Sequence, residues 1–206
     1  MVYFKKAKAG KICDLTFMQN FHNLDKNMQL VQKMKNALRK HIEKITPVSD
    51  EKFEYIFSFF KIKKIKKNTI IISSGDLSSY EYWVFKGCLK SSYMLEDGKE
   101  KIIRFAIEEW WVSDYDAYFK SKPATLNIES LEICELLALS LEDRERLCSE
   151  LPEMNNFFRK KMEGAYSAFQ RRLVSMLSND ARKHYEIFVQ QYPMLMERLP
   201  KSIIAS

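Results

Sequence analysis

The chain has 206 residues, of which 46% are hydrophobic and 13% aromatic, with only 5 Gly and 5 Pro. This composition excludes a disordered or collagen-like chain and suffices for the core of one large or two small domains. The net charge of +7 is uneven: residues 1–46 carry +7, residues 47–154 carry −5 and residues 155–206 carry +5. A basic segment after an acidic one is typical of a sensor followed by a DNA-facing module, although a solvated helix face gives the same pattern.

Several function classes can be set aside from residue patterns alone. The four cysteines form no CxxC pair and only three histidines accompany them, so we expect reduced thiols and no metal site. No run approaches about 20 apolar residues and no signal-peptide core is present, which predicts a cytoplasmic protein without a membrane partner. No Ser/His/acid, HExxH, P-loop or GxGxxG pattern occurs. We therefore predict no enzyme, no catalytic residues and no evident cofactor.

The N-terminal part divides near residue 30. Residues 1–30 form a basic extension without clear periodicity, which is either a flexible arm or an additional helix. From Met28 apolar residues recur every three or four positions, which predicts a helix that Thr46-Pro47 ends. Ser49 then provides an N-cap for a second short helix.

The middle of the chain predicts about eight short strands. Residues 62–76 read as one strand closed by a turn at Gly75-Asp76, and a hairpin turn lies at Asp97-Gly98. Further strands are predicted at 80–87, 88–95 and 100–107, and two more within 127–140. Turns at this spacing indicate an α+β protein built on an antiparallel barrel or jelly roll.

A long amphipathic helix is predicted over residues 151–178, after Pro152 at its start. Its apolar side chains recur at steps of three and four residues: Leu151, Met154, Phe158, Met162, Ala165, Phe169, Leu173 and Met176. At about 1.5 Å per residue the stripe is nearly 40 Å long. We predict a dimerisation helix, with packing against the chain's own barrel as the alternative. Another helix is predicted just before Pro193.

The sequence resembles the Crp/Fnr transcription regulators, in the version common in Bacteroidetes-like bacteria, over roughly residues 37–206. The resemblance is carried by LRKHIEK (38–44), SGD (74–76), KGCLK (86–90), GKEKIIRFAIEEWWVSDYDAYF (98–119), PATLNIESLE (123–132) and ARKHYEIFVQQYPMLMERLPKSIIAS (181–206). It implies a homodimer in which a cyclic-nucleotide-binding-like β-roll is joined through a dimer helix to a winged helix-turn-helix.

The resemblance also implies the domain organisation. After the extension 1–30 it places the sensor β-roll at 31–150, the dimerisation helix at 151–178 and the start of the helix-turn-helix domain at 179–206. The family's turn Gly and recognition helix would follow the IAS tripeptide, and the expectation is that this DNA-binding region is incomplete here. The alternative is a stand-alone module that binds a small molecule without binding DNA.

The stretch Phe105–Leu131 corresponds to the family's effector-reading cassette but departs from it. Cyclic-AMP-binding relatives carry a Gly-Glu pair for the ribose and an Arg for the phosphate, where this chain has Ser113-Asp114 and Pro123-Ala124-Thr125. Loss of the Arg would cost about 3–5 kcal/mol for a buried phosphate, so we expect an unknown neutral or cationic effector, or none. The predicted pocket residues are Arg104, Trp111, Ser113, Asp114, Pro123, Ala124 and Thr125.

Two side-chain types in the cassette leave alternatives open. Arg104 either replaces the missing phosphate ligand or pairs with a neighbouring acid. Trp110 and Trp111 either stack on a planar effector or belong to the core.

Cations near the C-terminus are candidates for DNA phosphate contacts, which would give salt-dependent affinity rather than sequence specificity. The candidates are Arg182, Lys183, Arg198 and Lys201, with Arg171 and Arg172 before them on the long helix. The alternative for each is a solvated helix face.

Overall fold

Helix α1 (Ala9–Glu43) is longer than the sequence predicted. The computed structural model describes residues 9–178, 180–200 and 203, and the side chains from residue 25 onward except those of residues 181 and 184. The chain divides into two units, Met1–Lys40 and His41–Ser206. The predicted helix start at Met28 was wrong, because no proline and no glycine after Gly10 interrupts the preceding residues. Over residues 9–30 the additional-helix alternative therefore holds.

Eight strands in the second unit confirm the predicted antiparallel β-roll. In chain order they are β1 (Lys61–Ile65), β2 (Ile70–Ile72), β3 (Tyr80–Lys86), β4 (Leu89–Met94), β5 (Glu100–Ala106), β6 (Trp111–Val112), β7 (Asn127–Ser130) and β8 (Cys134–Ser140). They form two four-stranded sheets with the orders β1-β8-β3-β6 and β2-β7-β4-β5. Apolar side chains from both sheets, among them Val84, Leu89 and Leu136, are fully buried in one cluster.

The single strand predicted over residues 62–76 is in fact two strands in different sheets. Asn68 takes a left-handed conformation with φ of 58° between them, a conformation that asparagine tolerates better than β-branched residues do. Its N–H donates to the carbonyl of Ser130 at 2.8 Å, which fixes the change of sheet. No Gly or Pro separates the Lys- and Ile-rich residues before Asn68 from the Ile-rich residues after it, so the whole run was interpreted as one strand.

Among the described residues, the second unit contains six further helices with assigned bounds. They are α2 (Asp50–Ser58), α3 (Tyr115–Lys120), α4 (Leu141–Glu150), α5 (Pro152–Ser178), α6 (Ala181–Gln191) and α7 (Pro193–Arg198). Ser49, Ser140 and Asp180 accept hydrogen bonds from main-chain N–H groups as N-caps of α2, α4 and α6. The predicted long helix and the helix before Pro193 are confirmed. Over the described ranges, none of the helices has the length and apolar character required to cross a bilayer.

Gly87, between β3 and β4, is predicted to be intolerant of a side chain. Its φ is +111°, and a Cβ there would lie 2.5 Å from the Sγ of Cys134. Gly98 also has positive φ, +80°, but a Cβ there would meet open space. We expect Gly87→Ala to lower the free energy of unfolding by about 3 kcal/mol, through strain and overpacking together. Gly98→Ala, the matched control, should cost about 1 kcal/mol through strain alone. Equal losses in urea denaturation would contradict this account.

Candidate functional site

The cassette is built around the short helix α3, between β6 and β7. Asp114 caps this helix by accepting a hydrogen bond from the N–H of Ala117 at 3.2 Å. Ser121, in the left-handed conformation, ends the helix and turns the chain toward Pro123. The segment 123–126 is thereby brought back beside the start of α3.

Asp114 binds this returning segment with its other carboxylate oxygen. Oδ2 accepts from the Thr125 N–H at 2.7 Å, from the Thr125 hydroxyl at 3.1 Å and from the Leu126 N–H at 3.0 Å. Burial opposes ionisation of the carboxyl, which is only 2% exposed, but the hydrogen bonds outweigh it and the pKa of Asp114 lies below its usual range. The donors of this segment are therefore bound to an anion that belongs to the chain itself.

Three of the other predicted pocket residues tie the cassette to the turn before β3. The Ser113 hydroxyl donates to the carbonyl of Tyr80 at 2.9 Å. Ala124 is buried, and its main chain exchanges two hydrogen bonds of 2.8 Å with the turn Gly75-Asp76. Pro123 forms an isolated bridge with Leu77. Ser113, Pro123 and Ala124 therefore lie together with Asp114 and Thr125. These five are the first of two groups into which the predicted pocket residues fall.

Arg104 and Trp111 form the second group. The Arg104 guanidinium donates to the carbonyl of Trp111 at 2.8 Å, which was neither of the two roles considered for it. The buried Trp111 ring donates its Nε1–H to Nε2 of His41 at 3.1 Å. Burial lowers the pKa of His41 to about 4, so its imidazole is neutral at pH 7 and Nε2 is free to accept. The burial of Trp111 agrees with the alternative in which this ring belongs to the core instead of stacking on an effector.

The contacts of Lys161 in α5 were not predicted from the sequence. Its ammonium lies 3.8 Å from the centre of the Trp111 ring and 2.5 Å from a carboxylate oxygen of Glu81, which is fully buried. Arg144 of α4 lies 3.4 Å from the other oxygen of Glu81. Burial lowers the pKa of Lys161 to about 8, although Glu81 opposes this shift. A signal did exist: Lys161 follows Phe158 by three residues and so shares its buried face.

Neither metal nor thiol chemistry is indicated at this site. Within the ranges that the structure describes, no three His, Cys, Asp or Glu side chains are placed to hold a metal ion. Cys88, Cys134 and Cys148 are free thiols, and burial raises the pKa of Cys88 to about 12, which disfavours the reactive thiolate. Cys13 lies where side chains are not described.

The predicted phosphate contacts fall into different environments. Arg182 and Lys183 are exposed on α6, where Arg182 pairs with Glu186 one turn later. Arg198 instead donates four hydrogen bonds to Glu108 and Glu132 of the β-roll. Lys201 lies outside the described residues.

The predicted stripe of α5 is buried at its start and exposed further along. Met154 and Phe158 are buried within the chain's own fold, as is Phe157 beside them. Met162 is half-buried and Ala165 is exposed. Phe169, Leu173 and Met176 are exposed, so the chain's own fold covers the helix only as far as about Met162.

Asp114 is predicted to stabilise the cassette as a charged acceptor. Replacement by Ala should lower the free energy of unfolding by about 3 kcal/mol, because several buried donors lose their partner. Asp114→Asn keeps an acceptor oxygen but not the charge. Because the folded pKa of Asp114 is below the unfolded one, its charge stabilises the fold above about pH 4 and this contribution is lost as the pH falls below that. The stability gap between wild type and Asp114→Asn, measured by urea denaturation, should therefore narrow in acid.

The control for this measurement is Asp76→Asn, at an exposed carboxylate in the neighbouring turn. It should change stability by less than about 0.5 kcal/mol. A gap for Asp114→Asn that is the same at pH 7 and pH 3 would contradict the role of the charge.

Comparison with known proteins agrees with this geometry. The sequence profile of the family described as cyclic nucleotide-binding domain matches residues 62–150. None of the curated proteins matches the chain. Among solved structures, the chain is similar to the catabolite activator protein of Thermus thermophilus, with 18% identity and a TM-score of 0.54 over 71% of this chain and 68% of that one.

Two further structures share the fold. A cyclic nucleotide-binding domain from Methylobacillus flagellatus has 14% identity and a TM-score of 0.59, over 68% of this chain and 80% of that one. The c-di-GMP-responsive global regulator CLP of Xanthomonas campestris has 14% identity and a TM-score of 0.57, over 69% and 71% of the two chains. Residues 62–150 therefore match the cyclic nucleotide-binding domain profile, and the chain is similar in fold to these three solved structures.

Proposed function

We propose that the protein is a homodimeric, non-enzymatic transcription regulator of the Crp/Fnr type that acts in the cytoplasm. In this proposal the β-roll is the sensor, α5 joins two copies, and the segment from α6 onward faces DNA. The observation that carries the proposal is the contrast along α5, in which one end is built into the sensor and the other presents apolar side chains to solvent.

The exposed half of α5 supports a second copy of the chain as its partner. Phe169 is 61% exposed, Met176 58% and Leu177 80%, and Tyr166 and Val174 are also exposed. Leaving apolar side chains exposed to water has a free-energy cost of about 25 cal/mol per Å² of apolar area. Phe169, Leu173 and Met176 repeat at steps of four and three residues, which is the spacing by which two identical helices pack along a common seam.

The contacts at the start of α5 support a route from sensor to dimer helix. Lys161 touches the cassette through Trp111, and Phe158 lies edge-on to the same ring at 5.9 Å between centroids. A change in the position of Trp111 would therefore change how α5 leaves the β-roll.

We further propose that the effector, where one is bound, is neutral or cationic. The N–H groups of Thr125 and Leu126 already donate to Asp114, so a phosphate at this segment would have to displace a buried carboxylate. The additional acidic residues Glu108, Glu109 and Asp116 lie in the same stretch. Glu108 and Glu109 are paired with Arg198 and Lys44, so Asp114 is the carboxylate that an anion at this segment would meet directly.

For the DNA-facing role, the exposed Arg182 and Lys183 are the proposed phosphate contacts on α6. The same role is proposed for Lys201. Arg198 could contact a DNA phosphate only after its hydrogen bonds to Glu108 and Glu132 are broken.

The dimer is tested by analytical ultracentrifugation at micromolar concentration. We expect wild type to sediment as a dimer and Phe169→Glu/Leu173→Glu to sediment as a monomer, with the dissociation constant raised at least about 100-fold. This corresponds to about 3 kcal/mol, a lower bound, because the dimer loses four apolar side chains, two from each protomer, each with a transfer energy of about 1.5–3 kcal/mol when fully buried.

The control is Tyr93→Glu on β4, where the side chain is 45% exposed, as Leu173 is, but lies away from α5. This variant should remain a dimer. A monomeric wild type would contradict the proposal, as would a dimer that survives both charges on α5.

A further inference from the structure

The segment from α6 to α7 is held on the β-roll by the guanidinium of Arg198. Its NH1 and NH2 donate to the two oxygens of Glu108 at 2.8 and 3.0 Å, and its Nε and NH2 donate to those of Glu132 at 3.0 and 2.9 Å. Glu108 lies between β5 and β6, and Glu132 between β7 and β8. One side chain of α7 thus joins two separate connections of the roll.

The two carboxylates are arranged to receive this cation. Burial opposes ionisation of Glu108, but the hydrogen bonds from Arg198 and from the Gly87 N–H outweigh it, so the pKa of Glu108 lies below its usual range. The pair of acids in turn raises the pKa of Arg198, with Glu132 the larger contributor. Lysine could not replace this contact, since only arginine presents several donors in one plane.

Apolar contacts accompany the ion pairs. Leu195 and Leu199 are buried in a cluster with Cys88, Ile107 and Leu131 of the β-roll. A ring contact extends it, since Tyr192 stands edge-on to Trp110 at 5.6 Å between centroids. Phe188 of α6 packs on Phe105 of β5 in a tilted arrangement, with 5.7 Å between the ring centroids.

Along residues 108–111, which include the connection between β5 and β6, successive side chains contact two different parts of the protein in alternation. Glu108 and Trp110 contact the α6–α7 segment. Glu109 and Trp111 contact the other side, where Glu109 pairs with Lys44 and Trp111 receives Lys161 of α5.

The backbone of this connection is held firmly. The Glu109 N–H donates to the carbonyl of Val84 at 2.8 Å, and the Val84 N–H donates to that of Trp110 at 2.9 Å. Glu109 itself has a φ of 66°, in the left-handed region that favours glycine. Both bonds join the connection to Val84 of β3, and Glu108 and Trp111 flank the bonded residues on either side.

We propose that residues 181–199 form a releasable latch, closed on the β-roll by Arg198, and that its closure is coupled through residues 107–111 to the packing of α5 on Trp111. In the closed state Arg198 is withheld from any other anion. By linkage, whatever loosens α5 from Trp111 favours opening of the latch, and opening of the latch loosens α5 to the same extent.

Hydrogen exchange of the full chain, followed by mass spectrometry, tests this inference with Arg198→Met and Arg198→Lys. We expect Arg198→Met to accelerate exchange at least tenfold in residues 181–199 and, through the coupling, in residues 154–165 of α5. Arg198→Lys should give a smaller acceleration in both segments. The control is Arg182→Met, on the same segment but 90% exposed and paired only within its helix, which should leave both segments at wild-type rates.

The paired strands β1 and β8 report on the integrity of the roll and should exchange at wild-type rates in every variant. Wild-type rates in residues 181–199 of Arg198→Met would overturn the latch. Acceleration confined to residues 181–199 would overturn the coupling. Acceleration in β1 and β8 as well would show that Arg198 belongs to the global core, which would also overturn the proposal. Each of these outcomes is independent of whether the chain dimerises.

Discussion

The ion pair between Glu81 and Lys161 is the contact on which the rest of the arrangement depends. Glu81 is fully buried in β3, and the Lys161 side chain is only 10% exposed. Taking two charges out of water costs several kcal/mol per ion, and the cost is offset only while both remain paired. Lys161 must therefore stay against Glu81 and above the Trp111 ring. This requirement fixes the start of α5 on the cassette, and it leaves the second half of that helix projecting into solvent.

The cassette is held by similar internal pairing. Where a nucleotide-binding relative is expected to offer donors to a ligand, this chain satisfies them with Asp114. The connection that precedes β6 is likewise occupied on both sides, by Lys44 and Lys161 on one and by Arg198 on the other. Charge pairing thus links the β-roll to its two helical neighbours. In such a structure a signal would act by exchanging one set of partners for another rather than by filling an empty cavity.

Most of the architecture could be predicted from sequence because it rests on local patterns. Alternation and turn residues gave the strands, and caps and Pro152 gave the helices. The turn at Asn68 was not predicted, because no Gly or Pro marks it between two segments that are both rich in Ile. The contacts of Lys161 and Arg198 could not be predicted for another reason. The partner of Lys161 lies 80 residues away in the sequence, and the two partners of Arg198 lie 66 and 90 residues away. From sequence alone, a single cationic side chain on a helix is predicted to be exposed to solvent. The carboxylate with which it pairs becomes apparent only in the folded structure. The structure shows the hydrogen bonds that Asp114 makes within the cassette, but whether an effector binds there stays a prediction.

The most direct test of this account is a double-mutant cycle between Glu81 and Lys161, measured by urea denaturation of Glu81→Gln, Lys161→Met and the double variant. Glu81→Gln removes the carboxylate partner of the buried Lys161, and Lys161→Met leaves Glu81 with Arg144 as its remaining cation. Each single change should lower the free energy of unfolding by about 3 kcal/mol. The double variant should lose about 2 kcal/mol less than the two single losses together, because the charges are removed as a pair. Losses that add within about 0.5 kcal/mol would show that the two groups stabilise the fold independently, and would contradict the claim that their pairing fixes α5 on the sensor.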